Sequence, residues 1–194
     1  MKSKLSMILF VLILGSSLTL ALVTVDNVTR EPIARNKVKK LRMSILSSLG
    51  LSYTPDNVEE AFSENVITKN IAGIDFYQSK DGGEMAFEFN GMGLWGPISG
   101  TIALTPDLQK IYGISIIHQE ETPGLGSRIA DPEFLDQLKG KNITNGLLVL
   151  PAGKKLADNE VHGITGATLS CKALEGILNA EIKKNVSMIE EGKK

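Results

Sequence analysis

An uncharged apolar run near the start of the chain constrains its folding more than any other feature. The run extends from Leu5 to Val25, 21 residues without a charged side chain. A helix rises about 1.5 Å per residue, so a run of this length reaches the roughly 30 Å thickness of a bilayer's hydrocarbon core. The sequence therefore predicts a transmembrane anchor over residues 1–25, in contact with membrane lipid.

A cleaved signal peptide is the alternative interpretation of this run, because Lys2 and Lys4 precede it. The run is longer than the roughly 7 to 15 residues of a typical signal-peptide core. Leu20, Leu22 and Val23 leave no clean small-residue cleavage site. We therefore expect the anchor to be retained.

The charges around the run leave its orientation open and make nucleic acid a poor candidate partner. Lys2 and Lys4 favour a cytoplasmic N-terminus, but positive charges beyond the other end count in the opposite direction. Residues 26–194 carry a net charge of −3, because those two lysines are the only charges before Asp26. This part of the chain therefore has no broad cationic field for nucleic acid. The basic residues that follow the run are Arg30, Arg35, Lys37, Lys39, Lys40 and Arg42.

After the anchor, the residue pattern predicts a connecting helix over residues 26–50 and a single domain over residues 51–194. Apolar residues recur at helical spacing as far as Leu49, and Gly50 is placed to end the helix. Cys171 is the one cysteine of the chain, which excludes an internal disulfide and a Cys-ligated iron–sulfur or zinc centre.

Four apolar runs in the middle of the chain predict strands. Turn sequences connect them without intervening helices, which favours antiparallel pairing. The predicted fold class is α+β, a mostly antiparallel sheet flanked by helices and preceded by one transmembrane helix. The predicted strands are Ile74–Gln78, Met85–Phe89, Ile98–Leu104 and Ile111–Ile117, with a further buried strand at Leu147–Leu150. The predicted helices are a short one capped by Asp56 and ending at Phe62, another begun by Asp131 and Pro132, and a long one from about Ala167 to Ile189.

The segment Gly91–Gly96 fits G-x-G-x-x-G, the pattern of dinucleotide-binding loops. That loop functions when its last glycine begins a helix inside a βαβ unit. Here Pro97 and the predicted strand Ile98–Leu104 follow instead. We therefore expect no NAD site at this segment, and we expect its glycines to form a sharp turn.

The segment Val161–Ser170 is the best candidate binding site. It is small, rich in hydroxyl groups, and leads directly into the predicted closing helix. The free N–H groups of a helix start, with the positive end of its dipole, favour a phosphate near Thr168. The alternative is that Thr165 or Thr168 only caps the helix. The residues alone leave both interpretations open.

The segment Thr165–Thr168 resembles the S/T-G-A-T flavinylation motif of a known family of FMN-binding domains. The G subunit of Rnf-type electron transport complexes and the C subunit of sodium-translocating NADH:quinone reductases share that domain. Two further segments of this chain, Gly91–Ile98 and Glu121–Gly126, are similar to it. The resemblance extends over residues 5–185 or so, including the anchor.

The resemblance implies that Thr168 carries FMN as a covalent phosphoester, added by a dedicated flavin transferase. Leu94 and Trp95 are implied walls for the flavin, although Trp95 also fits a core aromatic residue. One position departs from the family, because His162 stands where the motif has an acidic residue. The implied cofactor-binding residues are Thr165, Gly166, Ala167 and Thr168, Leu94 and Trp95, and Glu121, Thr122, Gly124 and Leu125.

The resemblance implies an electron-carrying, membrane-anchored flavoprotein subunit of an Rnf-type ion-translocating ferredoxin:NAD oxidoreductase complex. It further implies other membrane subunits as partners and a domain on the extracytoplasmic side of the inner (cytoplasmic) membrane. The protein is not expected to be catalytic alone, since a single anchor cannot build an ion pathway. The alternatives are the C subunit of a sodium-translocating NADH:quinone reductase, a stand-alone flavinylated carrier outside the cytoplasm, and a structural component without flavin.

Overall fold

The chain divides into two compact units, residues 1–39 and residues 40–194. The computed structural model describes residues 2–151 and 153–191. The predicted anchor and FMN-binding domain also take in positions outside the described residues, namely Met1, Ala152 and residues 192–194.

The first unit is part of a single long helix. This helix, α1 (Lys2–Ser48), contains Pro32 and does not end where the apolar run ends at Val25. The side chains from Leu5 to Val25 are all exposed. Within the described part of the chain, α1 alone is long and apolar enough to cross a membrane, judged by length and composition. The predicted N-terminal apolar helix therefore forms.

The second unit is built on a five-stranded antiparallel sheet in which neighbours along the chain are neighbours in space. The predicted α+β fold class is confirmed. The strands of this sheet are β1 (Val66–Ile71), β2 (Ile74–Ser79), β3 (Met85–Met92), β4 (Pro97–Leu104) and β5 (Ile111–His118). Two short strands, β6 (Leu148–Leu150) and β7 (Glu160–His162), form a separate parallel pair. The remaining helices are α2 (Val58–Asn65), α3 (Pro132–Leu135) and α4 (Thr168–Glu191), with 3-10 turns at Gly126–Ala130 and Asp136–Leu138.

Both faces of the large sheet are covered. Because alternate residues of a strand point to opposite faces, each strand can contribute side chains to two separate cores. Phe76, Phe87 and Phe89 are buried in the core shared with α4. Tyr77 and Ala86 are buried in a second core, shared with the last turns of α1 and with α2. Helix α4 therefore packs on one face of the sheet. The candidate binding segment Val161–Ser170 leads into the first turn of this helix.

The end of α1 agrees with the prediction at Gly50. The helix ends at Ser48, and Gly50 has a φ of 68°. The Gly50 N–H bonds to the Ser47 carbonyl at 3.1 Å and the Leu51 N–H bonds to the Leu46 carbonyl at 2.9 Å. These bonds satisfy carbonyl groups at the helix end, and the left-handed conformation they need suits glycine.

The predicted start and end of α2 are wrong. Asn57, not Asp56, is the residue before the helix, and the helix continues past Phe62 to Asn65. The Asn57 side chain does not cap the helix, because its oxygen accepts the Thr54 N–H at 2.6 Å.

Two features of the sheets differ from the prediction. The sequence analysis missed β1, whose middle residues Thr68, Lys69 and Asn70 are polar and exposed because β1 is an edge strand. The strand predicted at Leu147–Leu150 forms as β6, but it is buried only on one side: Val149 is 5% exposed and Leu148 is 40% exposed.

Candidate functional site

A tight turn places Thr168 at the start of α4. The Ala167 N–H bonds to the Ile164 carbonyl at 3.0 Å, which closes a four-residue turn. Gly166 is the third residue of that turn and has a φ of 83°. A positive φ at this position is the conformation that favours glycine in a type II turn. The glycine of the Thr165–Thr168 motif is therefore required by the backbone.

The first turn of α4 leaves donors free beside Thr168. The Cys171 N–H makes the first bond into the helix, to the Ala167 carbonyl at 3.0 Å. The N–H groups of residues 168–170 therefore have no acceptor within the helix. Ala167 occupies the capping position, and hydrogen bonds in this part of the described chain use neither the Thr165 nor the Thr168 hydroxyl. The alternative in which a threonine only caps this helix therefore loses its support.

The glycine-rich segment forms the hairpin tip between β3 and β4. This confirms the sharp turn that was predicted for Gly91–Gly96 in place of a dinucleotide-binding loop. The Gly93 N–H bonds to the Gly96 carbonyl at 2.8 Å. Leu94 and Trp95 lie at the tip between them. Trp95 is 69% exposed, so its interpretation as a core aromatic residue is wrong.

The segment after β5 forms a second tight turn. The Thr122 carbonyl accepts the N–H groups of Leu125 and Ser127, both at 3.1 Å. Pro123 and Gly124 are the central residues, and Gly124 has a φ of 73°. A proline followed by a glycine with positive φ is the usual composition of a type II turn.

A buried carboxylate ties these three segments together. Glu121 is 4% exposed. One of its oxygens accepts the N–H of Leu94 at 2.7 Å and of Trp95 at 3.3 Å. The other accepts the Ser170 hydroxyl at 2.6 Å. A buried charge is tolerated when donors satisfy it, so Glu121 fixes the hairpin tip against the first turn of α4.

Two glycines allow this close packing. A Cβ at Gly93 would lie 2.3 Å from the Glu121 carboxylate, and a Cβ at Gly126 would lie 2.5 Å from the Ser170 hydroxyl oxygen. Both positions exclude any larger residue unless the neighbouring groups move. One glycine of each motif is thus required by its contact with Glu121 or Ser170.

The three segments meet at a cavity of about 230 Å³. Seven of the ten predicted cofactor-binding residues line it: Leu94, Trp95, Thr122, Leu125, Gly166, Ala167 and Thr168. The sequence analysis did not select its other lining residues, which are Gly126, Leu169 and Ser170.

The other three predicted residues lie close by without lining this cavity. Glu121 is buried beneath it, where its carboxylate positions other residues. Gly124 has open space around its Cβ position. Thr165 lines two neighbouring cavities, of about 360 and 410 Å³. Thr168 also lines the 360 Å³ cavity, so it stands between two of the three.

Cys171 packs in the core below Thr168 and offers no nucleophile. Its side chain is fully buried, and burial raises the pKa of its thiol above the ordinary value. The sulfur accepts the Ile164 N–H at 3.4 Å. Leu174 and Leu178, three and seven residues after Cys171 in α4, are also buried. The helix is thereby fixed by its apolar face.

The residues around Thr168 fit the chemistry of FMN, which combines a planar apolar ring system with an anionic phosphate. Leu169 is 64% exposed, and with Trp95, Leu94 and Leu125 it supplies exposed apolar surface beside the cavity. The free N–H groups of residues 168–170 are suited to a phosphate. An exposed hydroxyl at Thr168 lies between these two environments.

Residues 93–183 match the FMN-binding domain family. Among named relatives, the G subunit of the Na(+)-translocating ferredoxin:NAD(+) oxidoreductase complex of Acetobacterium woodii is 28% identical over 186 residues. That match covers 93% of this chain and 89% of the relative. The C subunit of the Na(+)-translocating NADH-quinone reductase of Neisseria meningitidis is 35% identical over 99 residues, 48% of this chain. The match spans only 38% of that longer protein.

Solved structures of quinone-reductase subunits are similar to this chain. The crystal structure of the C subunit of Na(+)-translocating NADH-quinone reductase from Parabacteroides distasonis has a TM-score of 0.69 and 25% identity, and the match covers 82% of this chain and 96% of that one. The crystal structure of NqrC from Shewanella oneidensis has a TM-score of 0.65 and 19% identity, and the match covers 75% of this chain and 91% of that one. The second likeness concerns the fold alone.

Proposed function

We propose that this protein is a membrane-anchored flavoprotein subunit that carries electrons through FMN bound covalently at Thr168. The observation that carries the proposal is the cavity in which the start of α4 meets the hairpin tip and the turn after Glu121. All three segments that resemble the family contribute to it. The site has a hydroxyl for a phosphoester, donors for its charge and apolar surface for the flavin ring.

Bound FMN would supply electron transfer, and the protein would supply attachment, orientation and environment. Thr168 provides the ester oxygen, and a phosphoester there contains FMN and threonine less one water. Leu94, Trp95 and Leu125 offer apolar contact to the ring. A covalent attachment keeps the cofactor on a carrier that faces an aqueous compartment. No acid–base group is required of the protein for this role.

We infer that the parent complex is of the Rnf type, a ferredoxin:NAD oxidoreductase that moves ions. The match to the G subunit from Acetobacterium woodii supports this inference, since it covers 93% of this chain. The match to the C subunit from Neisseria meningitidis covers 48% of this chain. A sodium-translocating NADH:quinone reductase is the second candidate, favoured by the higher identity of 35% to that relative and by the solved structures.

Purification of the native protein in mild detergent tests the assembly. We expect several multi-span membrane subunits to co-purify with it, together with a ferredoxin:NAD oxidoreductase activity that this protein lacks alone. Co-purification with NADH:quinone reductase activity would favour the second candidate. Recovery of the flavinylated protein alone from intact membranes would favour a stand-alone extracytoplasmic carrier.

The anchor is expected to be retained, with residues 26–194 outside the cytoplasm. Lys154 and Lys155 are exposed, so trypsin added to intact spheroplasts should cut the domain there. A cytoplasmic marker protein should stay intact in the same sample. Protection of the domain until the cells are lysed would reverse this topology.

His162→Asp is expected to raise the fraction of protein flavinylated by a transferase from another organism. His162 lines the 410 Å³ cavity with Thr165, and its buried Nδ1 has no partner among the described residues. A carboxylate is a stronger acceptor than a neutral imidazole for N–H groups or for a cationic group of the transferase. In-gel flavin fluorescence relative to total protein gives the fraction.

The matched control is His118→Asp, at the end of β5 and outside the three cavities around Thr168. It should leave the flavinylated fraction unchanged. His118 is exposed, so His118→Asp should keep its free energy of unfolding within about 0.5 kcal/mol of wild type. Complete flavinylation of the wild type, or a lower flavinylated fraction in His162→Asp, would show that the transferase already recognises the motif with histidine at this position.

A further inference from the structure

Lys172 is placed to reach the attachment point of the flavin. It lies four residues after Thr168 in α4, and residues four apart share a helix face. Lys172 and Thr168 both line the 360 Å³ cavity. Lys172 is the one charged side chain among the described residues that line this cavity, and the others are apolar, small or hydroxyl-bearing.

Glu175 orients Lys172. The Lys172 Nζ lies 3.0 and 2.7 Å from the two carboxylate oxygens of Glu175. The Glu175 side chain is only 14% exposed, and it also accepts the Val149 N–H of β6. Its position is therefore fixed by the parallel strand pair. An ammonium group has three donors, so Lys172 keeps at least one for a further acceptor.

The ion pair leaves the lysine accessible to a further acceptor. The Lys172 side chain is 46% exposed, whereas that of Glu175 is 14% exposed. The pair holds a cation at the wall of the 360 Å³ cavity that Thr168 also lines, where residues 168–170 offer N–H groups but no charge. A phosphodiester at Thr168 would carry one negative charge, which those N–H groups can bond but cannot neutralise.

We propose that Lys172, oriented by Glu175, is the cation that pairs with the phosphoester of the flavin attached at Thr168. This inference rests on the proposed function and assigns a positioning residue to the same site. The free N–H groups at the start of α4 would bond the phosphate oxygens, and Lys172 would donate to them, from one helical turn further on, an ammonium hydrogen that Glu175 does not accept.

Phosphorus NMR of the flavinylated full-length protein in detergent tests the pairing. The ³¹P resonance of a phosphodiester responds to charge and hydrogen bonding at its oxygens, whatever the activity of the complex. Lys172→Gln should shift the resonance and make it insensitive to added salt. Glu175→Gln should shift it in part, and Lys172→Arg should keep it nearer to the wild-type position.

The matched control is Lys184→Gln, because Lys184 pairs with Glu181 in α4 at the same three-residue spacing and similar exposure. It should leave the ³¹P resonance unchanged. If mass spectrometry shows flavin on Thr168 and Lys172→Gln moves the resonance no further than Lys184→Gln, the pairing is wrong and the proposed function stands. If Thr168 carries no flavin in the native protein, both the proposed function and the pairing are overturned.

Discussion

Thr168→Ala is expected to abolish covalent flavin completely, because alanine has no oxygen that can form the ester. After co-expression with a flavin transferase, the wild-type protein should fluoresce on a denaturing gel and the variant should not. Thr168 is exposed and lies in the first turn of α4, so the Thr168→Ala protein should keep its fold. Thr168→Ser retains a hydroxyl and should retain some of the fluorescence.

Thr122→Ala is the matched control for this loss. Thr122 is also an exposed threonine of the 230 Å³ cavity, but it lies in a different turn. Its substitution should leave the flavin attached. Fluorescence that persists in Thr168→Ala, or that disappears only in Thr122→Ala, would contradict the attachment at Thr168.

Glu121→Ala is expected to produce the largest loss of stability at the site. Its removal leaves the N–H groups of Leu94 and Trp95 and the hydroxyl of Ser170 without their acceptor. Ser170 is buried, and an unsatisfied buried polar group costs about 1–3 kcal/mol. Each hydrogen bond lost from the partly buried N–H groups of Leu94 and Trp95 costs about 0.5–1.5 kcal/mol, so a loss of about 3 kcal/mol in the free energy of unfolding is expected. For a domain of this size that lowers Tm by about 6–12 °C. Thermal unfolding followed by circular dichroism measures it.

Glu120→Ala is the control, since Glu120 is adjacent but exposed and pairs only with His118 among the described residues. It should stay within about 0.5 kcal/mol of wild type. Glu121→Gln keeps the size and one acceptor oxygen, so it should fall between the two. Equal Tm values for Glu121→Ala and Glu120→Ala would show that Glu121 does not hold the site together.

The fold was predictable wherever a local pattern decided the structure. Apolar runs with short turn sequences predicted β2 to β5, and the spacing of apolar residues predicted α4. The edge strand β1 was missed because its polar, exposed residues carry no alternating apolar pattern. The parallel pairing of β6 with β7 was also missed, since it depends on a contact between segments that no nearby turn specifies.

The site was predictable only in part, for a physical reason. The chemistry of each segment could be interpreted from its own residues. The glycines of Gly91–Gly96, which no helix follows, correctly predicted a turn. Contacts between residues near 94, 121 and 168 depend on tertiary packing that spacing along the chain does not encode; the resemblance alone suggested them. Glu121 was expected to bind the cofactor, whereas its carboxylate faces the backbone of the hairpin tip and Ser170. Leu169 and Ser170 lie in the candidate segment Val161–Ser170 but were not selected as cofactor-binding residues, because helix-start residues resemble ordinary helix residues in sequence.

Mass spectrometry of the native membrane protein tests the central claim most directly. Trypsin cutting after Lys155 and Lys172 releases a peptide of residues 156–172, which contains both Thr165 and Thr168. We predict that this peptide carries the mass of FMN less one water, and that its fragments place the addition on Thr168. An unmodified peptide from cells that contain a flavin transferase, or an addition placed on Thr165, would contradict the account.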